Sequence, residues 1–589
     1  MAHSRPYPEL SFPGIALGAL QGVLMTAAFV YIALKLGFGL GGSTVAAIIG
    51  FTVLRGALRR KSIVENNINQ TVASGINTAS AGVVFTLPAL LLLSVDDPSL
   101  GDFPIGPLIF SAIAGSLMGI VLIIPLRKQM VEFERLKFPS GVAVATLLKS
   151  PGEGLSQGII LMIGAVGACL LTILVNLAIV PEELDLNHLV SLPAWLPIAL
   201  YISAANFGAG LLSGKGGLPF ALGGVLAWWV ITPIAVSQGW IPTPDGLPLE
   251  NADGFMAGEA YSQMLRPLGI GMLIGGALAG VVSALPAVKG AFSSLSSAAK
   301  MAREKGTSPE EVDPKLVGGG AVGAFILLFI AASLSSDMGL GQSLLVAVVG
   351  TLWLGLAGII VATATGHTDI SPLSGLALIA VTLMYFLTGG DITAAILIGV
   401  AVCIATNQCA DMMSDLKTGH LVGSTPRNQQ IAQLLMCWVG PLVAIGVLFL
   451  LWEMPGDGTP GFGPDSTACI EGTAECLLAP QAGALQGMIE ALASDDAAVD
   501  KYLGGAVMGG ALSIFPIGGI AVLVGLAMYL PFSITLAYGV GCVVAMGLEK
   551  TQGRVFIGKK LVPFAAGLIV GEALTQLAWS IFRMVTGGG

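Results

Sequence analysis

Charged residues are scarce in this 589-residue chain: Asp, Glu, Lys and Arg make up 10%, against 54% hydrophobic residues. A soluble domain carries about 25% charged residues, so the composition excludes an ordinary soluble protein. Stretches of about 20 apolar residues recur along the chain, and each could cross a hydrocarbon core of roughly 30 Å as a helix. The alternating segments of a membrane barrel are absent. The composition therefore predicts an all-α polytopic membrane protein.

Several sequence signatures are also missing. No Gly-x-x-x-x-Gly-Lys-Ser/Thr phosphate loop is present, which argues against an ATP-driven pump, and no paired zinc-protease histidines occur. The formal net charge of −9 gives no reason to expect a nucleic-acid partner. The seven cysteines show no zinc-ligand spacing, so no metal site is predicted, and no bound cofactor is expected.

Six of the seven cysteines fall into two groups. Cys169, Cys403, Cys437 and Cys542 lie in apolar segments, where small buried hydrophobic side chains are expected. Cys469 and Cys476 lie in the longest polar loop, and they could pair if that loop faces an oxidising compartment, a question that the sequence leaves open.

Basic residues are distributed unevenly. Loops 238–265 and 453–500 contain no Lys or Arg, whereas basic residues concentrate in 55–61, 127–137 and 289–315. By the positive-inside rule the basic segments are cytoplasmic and the acidic loops face outward. This predicts a cytoplasmic N-terminus in a cell membrane, with a bacterial cytoplasmic membrane as the expected compartment. The basic loop 549–560 conflicts with simple alternation, so the topology of residues 500–560 stays open.

The apolar stretches predict about sixteen spans, eight on each side of a basic connector. The expected organisation is a first half at 1–290, a cytoplasmic connector at 291–315 and a second half at 316–589 with the acidic outer loop 453–500. Arg266–Gly275 resembles Val562–Gly571, and Lys137–Ser140 resembles Ser424–Arg427. Chance similarity between apolar segments is the alternative to duplication. Two related eight-span halves with re-entrant or broken segments near the midplane are typical of secondary transporters.

The first polar cluster occupies a short stretch between apolar segments 39–58 and 72–93. Carboxamides and a carboxylate at membrane depth are costly unless they face a cavity, a partner or a solute. A cytoplasmic turn that caps two helices is one interpretation, and an unwound stretch that lines a solute pathway is the other. Its members are Glu65, Asn66, Asn67, Asn69, Gln70, Thr71 and Asn77.

The second cluster interrupts the apolar run 391–405. Its candidate residues are Asn407, Gln408, Asp411, Asp415 and Lys417. Asp411 and Asp415 would share one helical face, and repulsion between paired carboxylates can hold one of them protonated near neutral pH. A cytoplasmic loop is the alternative.

A third polar cluster surrounds His367 and Ser371. His titrates near pH 7, yet a lone His beside an Asp is often structural. Glu572 lies eleven residues into the last apolar segment, where a carboxylate is either a functional group or a helix-packing hydrogen-bond acceptor.

Taken together, these motifs resemble the oligopeptide transporter superfamily, including its yellow-stripe-like branch, which carries metal chelates. The resemblance rests on Glu65–Thr71, Phe138–Gly141, Ser371–Gly375, Asp415–Gly419 with Thr425–Arg427, and Gly571–Leu574. It implies about sixteen spans and proton-coupled import of small peptides or metal–chelate complexes by a bacterial member. Asn77, His420 and Ser371 depart from the family pattern, so the solute is not carried over.

These observations predict a proton-coupled secondary transporter that imports short peptides or metal–chelate solutes. The expected solute-binding residues are Asn66, Asn67, Asn69, Gln70, Asn77, His367, Ser371, Asn407, Gln408 and Lys417. The expected proton-coupling residues are Glu65, Asp411, Asp415 and Glu572. The partners would be the solute, protons and the lipid bilayer, and the oligomeric state stays open, a homo-oligomer included.

Two rival functions belong to other classes. A channel would need a filter of carbonyl-donating residues or a ring of acidic side chains, and neither pattern is visible. An integral membrane enzyme would need a catalytic pair, whereas the four histidines, His3, His188, His367 and His420, lie far apart in sequence. The sequence therefore predicts a carrier and not an enzyme.

Overall fold

A computed structural model describes most of the chain. The described residues are 8–37, 42–60, 62–101, 104–149, 153–186, 196, 198–240, 260–276, 278–280, 282, 310–335, 338–368, 373–453, 461–464, 466, 469, 476–493, 499–515 and 520–586.

The described part of the chain is mostly helical. Up to residue 276 its elements are α1 (Phe12–Leu36), α2 (Gly42–Gly50), α3 (Ile63–Thr78), α4 (Ser80–Asp96), α5 (Ile105–Ile123), α6 (Pro139–Lys149), α7 (Glu153–Asn176), β1 (Glu183–Asp185), β2 (Ala199–Tyr201), α8 (Ala204–Ser213), α9 (Leu218–Val225), α10 (Thr232–Ser237) and α11 (266–276).

From residue 314 onward the described elements are all helices. They are α12 (Pro314–Ser335), α13 (Leu340–Thr368), α14 (Leu373–Leu387), α15 (Ile392–Val422), α16 (Pro426–Met436), α17 (Val439–Trp452), α18 (Pro480–Ala493), α19 (Val499–Leu512), α20 (Ile520–Tyr529), α21 (Phe532–Phe556) and α22 (Val562–Thr586).

Within the described residues, ten helical stretches are long and apolar enough to cross a membrane. Three shorter apolar helices accompany them: Gly42–Ala57, Leu376–Leu387 and Ile520–Tyr529. The all-α polytopic membrane fold is therefore confirmed. The count of about sixteen spans stays a prediction, because segments such as 266–286 extend beyond the described residues.

The local structure of both main polar runs differs from the expectation. Glu65–Thr71 is neither a turn nor an unwound stretch, because it lies inside the helix α3. Residues 406–420 do not interrupt a span, because α15 runs unbroken from Ile392 to Val422. Polar side chains do not break a helix whose backbone groups are paired internally, so both runs place their carboxamides and carboxylates on helix surfaces.

The chain forms two compact units that interleave along the sequence. Unit 1 comprises Met1–Val30, Gly39–Gly158 and Val281–Phe449, and unit 2 comprises Tyr31–Phe38, Ile159–Gly280 and Leu450–Gly589. These units are defined by contacts in space. The division of the sequence into halves at 291–315 is a different one and stays a prediction.

Unit 1 is organised around α15. This helix packs against α3, α4, α5, α6, α13 and α14, and nearly all of its side chains are buried. The α5–α15 contact is close because an added Cβ atom at Gly115 or Gly119 would meet the carbonyl oxygen of Ala401 or Ala405. Small residues spaced four apart are the usual means of such an approach between membrane helices.

Two short helices of unit 1 begin alike. α6 starts at Pro139 and α16 at Pro426, each at the proline of the segments whose sequences resemble one another, and each has 11 residues. Proline suits this position because the first helical N–H has no intrahelical partner. α6 packs against α15, and α16 packs against α3. Both short helices therefore border a helix that carries a polar run.

The end of the predicted connector is well packed in unit 1. Glu311 pairs with the buried Arg127 at 2.6 Å, and the backbone N–H of Val312 donates to Gln430 Oε1 at 3.0 Å. The backbone N–H of Arg427 donates to the carbonyl oxygen of Glu310 at 2.9 Å. Residues 310–312 are thus fixed against the start of α16.

Unit 2 contains the two short strands and the disulfide. β1 and β2 are antiparallel, with Glu183 opposite Tyr201 and Asp185 opposite Ala199. Cys469 and Cys476, whose pairing the sequence left open, form a disulfide. Disulfides persist in oxidising compartments, which agrees with the outward orientation predicted for the acidic loop.

Candidate functional site

Helix α3 presents a different set of partners on each of its faces. It begins at a Ser62 cap, whose hydroxyl accepts the backbone N–H of Glu65 at 3.2 Å. Ile68, Val72 and Ile76 recur every four residues and form an apolar stripe that packs against α1 and α16. The polar side chains occupy the remaining faces, and all of them are buried. A helix that is buried on every side must pair its polar groups with neighbouring elements or with a ligand.

One face of α3 meets the two aspartates of α15. The Gln70 amide donates to Asp415 Oδ1, and Ser74 Oγ donates to Asp411 Oδ1 at 2.7 Å. Gln70 and Ser74 are four residues apart, as are Asp411 and Asp415, so the two helices face each other over one turn. Ser43 bridges the two pairs, since its hydroxyl lies 2.7 Å from Ser74 Oγ and 3.4 Å from Asp415 Oδ1.

Three acceptor atoms in this cluster have no hydrogen-bond partner within the described residues. They are Oδ2 of Asp411, Oδ2 of Asp415 and Oε1 of Gln70, and the side chains of Asp415 and Gln70 are 1% and 0% exposed. Leaving a buried polar group unpaired costs about 1–3 kcal/mol, and more when it is charged. All three atoms accept and none donates, so a ligand that satisfies them must supply hydrogen, as a proton or an ammonium group does.

A second face of α3 meets two glutamines of α16. Gln429 Nε2 donates to Thr71 Oγ1 and to the backbone carbonyl of Asp415, both at 2.9 Å. Gln433, one turn further along, lies against Gly75. It is fully buried, and neither its Nε2 nor its Oε1 has a partner among the described residues. An amide that offers both a donor and an acceptor is complementary to another amide, such as a peptide bond.

The asparagines of α3 mainly join helices. Asn66 Nδ2 donates to the carbonyl of Ala47 at 3.2 Å, and Asn69 Nδ2 donates to that of Ala46 at 3.4 Å, so both attach α3 to α2. Asn67 Nδ2 donates to Ser424 Oγ at 3.0 Å. These contacts separate the three asparagines from the Gln70 face.

Asn77, Asn407 and Gln408 lie near the end of α3. Asn407 Nδ2 donates to the carbonyl of Thr78 at 2.9 Å, and Gln408 Nε2 donates to that of Gly75 at 2.8 Å. These are carbonyls in the last turn of α3, where helix carbonyls lack intrahelical partners. Asn77 packs against Gly42 at the start of α2. The structure thus gives Asn407 and Gln408 a capping role beside the cluster.

Glu65 is already ion-paired in the structure. Its Oε1 accepts from Arg60 Nε at 2.6 Å and also from the Ser11 hydroxyl. Glu65 precedes Gln70 by five residues, about 7.5 Å along the helix axis. It therefore belongs to the first turn of α3 and not to the Asp411–Asp415 cluster.

The other predicted residues lie elsewhere. Lys417 follows Asp415 by two residues, so it points about 200° around α15 from it, toward α6, where Gly141 approaches its Cβ. His367 is in the last turn of α13, but its side chain and the whole of Ser371 lie outside the described residues. Glu572 belongs to unit 2, where it pairs with Lys35.

Sequence reasoning missed Ser43, Ser74, Gln429, Gln433 and Lys35. The glutamines had a detectable signal, because they lie four residues apart in a segment whose apolar residues continue into a membrane span. Lys35 also had one, because an ionisable residue at the end of a long apolar stretch is a functional candidate. Ser43 and Ser74 are indistinguishable from ordinary small helix residues without the fold.

Comparison with known proteins decides the family. The model of the OPT oligopeptide transporter protein family matches residues 9–583, nearly the whole chain. The chain belongs to the OPT oligopeptide transporter family. Members of this family are transporters and not enzymes, so the expectation of a non-enzymatic membrane protein is confirmed.

Two curated relatives match this OPT family member. A protein of Haemophilus influenzae named "Putative oligopeptide transporter" is 28% identical over an alignment 619 residues long, which covers 95% of this chain and 93% of the relative. A Saccharomyces cerevisiae protein named "Putative oligopeptide transporter YGL114W" is 27% identical over 254 residues, or 41% of this chain and 33% of the relative.

Proposed function

We propose that this OPT family member is a proton-coupled carrier that imports short peptides or peptide-like metal chelates across a bacterial cytoplasmic membrane. The family and the names of both relatives support the peptide class. The observation that carries the proposal is the set of unpartnered buried groups between α3, α15 and α16. Their chemistry matches a solute that has both an ammonium group and amide bonds.

The acidic part of the cluster would bind the proton and the amino terminus of the solute. Asp415, Gln70 and Asp411, which lies one turn from Asp415, each have a buried acceptor atom without a partner. Two neighbouring carboxylates do not both hold their negative charge cheaply away from water, so a proton or an ammonium group stabilises the pair. Proton and solute would thereby share one site, which couples their movements.

The neutral part of the cluster would recognise the backbone of the solute. The Gln433 amide can donate to a peptide carbonyl and accept from a peptide N–H at the same time. Such recognition depends on the backbone and not on the side chains, so it suits a carrier of many different short peptides. Asn66, Asn67, Asn69, Asn77, Asn407, Gln408, Lys417, His367 and Ser371 stay predictions as solute ligands.

Of the four predicted coupling carboxylates, we propose Asp411 and Asp415 as the pair that carries the proton. Glu65 and Glu572 each lie in an ion pair, with Arg60 and with Lys35. A carboxylate held by a cation has less need of a proton than one whose oxygen has no partner. The two glutamates are thus proposed as ion-paired residues and not as carriers of the coupling proton.

Uptake into proteoliposomes tests the proposed function. A labelled tripeptide pool is supplied with and without an inward proton gradient, and a ferric chelate is added as competitor. We expect saturable uptake that the gradient accelerates and drives above the external concentration. A channel would instead give non-saturating flux that never exceeds the external concentration. Absence of uptake under every gradient would contradict the proposal that the solute is a peptide. Competition by the ferric chelate would extend the class of solutes to metal chelates.

A further inference from the structure

Unit 2 contains a buried cationic residue that the proposed transport site does not use. Lys35, 1% exposed, lies at the end of α1. Its Nζ donates to Tyr31 Oη at 3.1 Å, to Tyr201 Oη at 2.6 Å and to Glu572 Oε1 at 3.3 Å. All three N–H groups of the ammonium are thereby used.

The carboxylate of Glu572 is equally well coordinated. Ser203 Oγ lies 2.7 Å from Oε1 and 3.0 Å from Oε2, and the backbone N–H of Ala205 donates to Oε2 at 2.9 Å. Ser203 caps α8, so the carboxylate stands at the N-terminus of that helix, where the dipole favours negative charge. Lys35 and Glu572 thus tie together α1, β2, α8 and α22.

The same helix arrangement occurs twice within unit 2. An added Cβ at Gly567 would meet the carbonyl oxygen of Leu161, and one at Gly271 would meet that of Tyr502. Both contacts repeat one turn further along: an added Cβ at Gly571 would meet the carbonyl oxygen of Ala165, and one at Gly275 would meet that of Ala506. The α7–α22 contact and the α19–α11 contact are therefore equivalent, which gives a structural basis to the resemblance between Arg266–Gly275 and Val562–Gly571.

The equivalence extends to the junction beside Glu572. An added Cβ at Gly208 in α8 would lie 2.9 Å from the carbonyl of Ala565, and one at Gly525 in α20 would lie 3.1 Å from that of Gly269. Helix α8 therefore corresponds to α20. In this alignment the residue that corresponds to Glu572 is glycine.

That glycine is Gly276, and its position confirms the match. A Cβ added to Gly276 would lie 3.2 Å from the backbone N of Val522. In the alignment of α8 with α20, Val522 corresponds to Ala205, whose backbone N–H donates a hydrogen bond to Glu572. The second copy of the junction is thus built without a carboxylate. The charge at Glu572 is not a requirement of this helix packing.

Charges that a fold can omit are costly to keep in a membrane. A buried ion pair rarely stabilises a protein more than apolar side chains of the same volume would, because desolvation offsets the attraction. Ionisable residues within membrane spans are accordingly functional candidates. We propose that Lys35 is a positioning residue for transport: it acts through Glu572 to hold the N-terminus of α8, and the pair serves the transport cycle and not the stability of the fold. The role in transport rests on the proposed function.

A double-mutant comparison tests this proposal in the full-length protein. The variants are Lys35→Met, Glu572→Gln and the double variant that carries both changes. Thr575→Ala is the matched control, because Thr575 lies three residues from Glu572 and donates only to the carbonyl of Gly571 in its own helix. Each purified protein is examined for its melting temperature and for the KM and maximal rate of tripeptide uptake.

We expect each single variant to melt about 5 °C or more below wild type, because it leaves one buried charge unpaired. The double variant should melt within about 2 °C of wild type. Its maximal uptake rate should nevertheless fall at least tenfold, with KM changed less than about twofold, because the solute site in unit 1 is intact. The control should match wild type in every measurement.

Three results would overturn the proposal. A double variant that does not fold, or that melts as low as the single variants, would show that the fold needs the charges. A double variant with wild-type uptake would show that transport does not need them. A tenfold rise in KM at unchanged maximal rate would instead make Lys35 a solute ligand. If wild type takes up no peptide, the proposed function fails, while the melting temperatures still decide whether the fold can dispense with the pair.

Discussion

Replacing Asp415 by asparagine removes the charge from the α3–α15 cluster while keeping its shape. Asparagine can still accept from the Gln70 amide through Oδ1, and its own Nδ2 can donate to the unpartnered Gln70 Oε1. A hydrogen bond to a charged acceptor contributes about 1.5–3 kcal/mol, against about 0.5–1.5 kcal/mol for a neutral one. The expected loss of stability is therefore about 1 kcal/mol, and the new bond reduces it further. The variant should fold.

The same change should abolish the coupling of uptake to protons. One pH unit across the membrane is worth 1.36 kcal/mol per proton, so a carrier that moves one proton per solute can reach about tenfold accumulation. A carrier without the coupling carboxylate can only equalise the solute concentrations. We expect Asp415→Asn to reduce the steady-state ratio of internal to external tripeptide concentration from about tenfold to about one.

Solute exchange provides the internal control. Proteoliposomes loaded with unlabelled tripeptide are placed in labelled tripeptide without a gradient, and the exchange rate is measured. Because exchange requires binding and reorientation but no net proton movement, Asp415→Asn should retain it within about threefold of wild type. Accumulation by Asp415→Asn under a proton gradient would refute the reasoning, since it would place the coupling proton elsewhere.

Three further predictions concern the framework. Glu65→Gln breaks the ion pair with Arg60, whose side chain is one-third exposed, so the change should cost at most about 1 kcal/mol of folding stability. Gradient-driven accumulation in proteoliposomes should stay intact, and its loss would show that Glu65 carries the coupling proton. Gly567→Leu places a side chain on the Leu161 carbonyl and should reduce the yield of monodisperse protein in size-exclusion chromatography, whereas the exposed Gly547→Ala should not. An impermeant maleimide should label Cys469 and Cys476 in intact cells only after an impermeant reductant is added; labelling without reduction would contradict the disulfide, and no labelling after it would contradict the outward loop.

The sequence predicted the class of fold and the location of the buried polar runs well. High apolar content identifies a membrane protein, because lipid admits few charged surfaces. The Asp411 and Asp415 pair and Gln70 were named from residue type and spacing, and the structure brings all three together. A pattern of polar residues in an apolar chain is thus informative about where buried polar contacts occur.

The conformation of these segments was predicted less well. Glu65–Thr71 and 406–420 read as loops or breaks because polar runs usually mark them, but a helix pairs its own backbone and tolerates any side chain that finds a partner. The sequence also could not predict which helix each asparagine of α3 contacts. Asn66 and Asn69 bind carbonyls of α2, and this depends on a packing that residue type does not encode.

The interleaving of the two units could not be predicted either. The resemblance between Arg266–Gly275 and Val562–Gly571 was visible, but its meaning depends on the packing of these segments against α19 and α7. Those two helices share only a short Gly-Ala-Val match, 505–507 with 164–166, which is too brief to recognise without the fold. Lys35 was overlooked because it lies at the edge of an apolar stretch, and its partner Glu572 follows more than five hundred residues later.

The central claim is that the solute binds at the unpartnered groups between α3, α15 and α16, and cysteine accessibility at Ser74, which bonds to Asp411 in this cluster, tests it most directly. Ser74→Cys is made in a background in which the five free cysteines, Cys169, Cys403, Cys409, Cys437 and Cys542, are replaced by alanine. A small, water-soluble methanethiosulfonate is then applied to proteoliposomes during turnover. The account predicts modification that inhibits uptake and is slowed by saturating tripeptide. Modification at the same rate with and without tripeptide, or none at all, would contradict it.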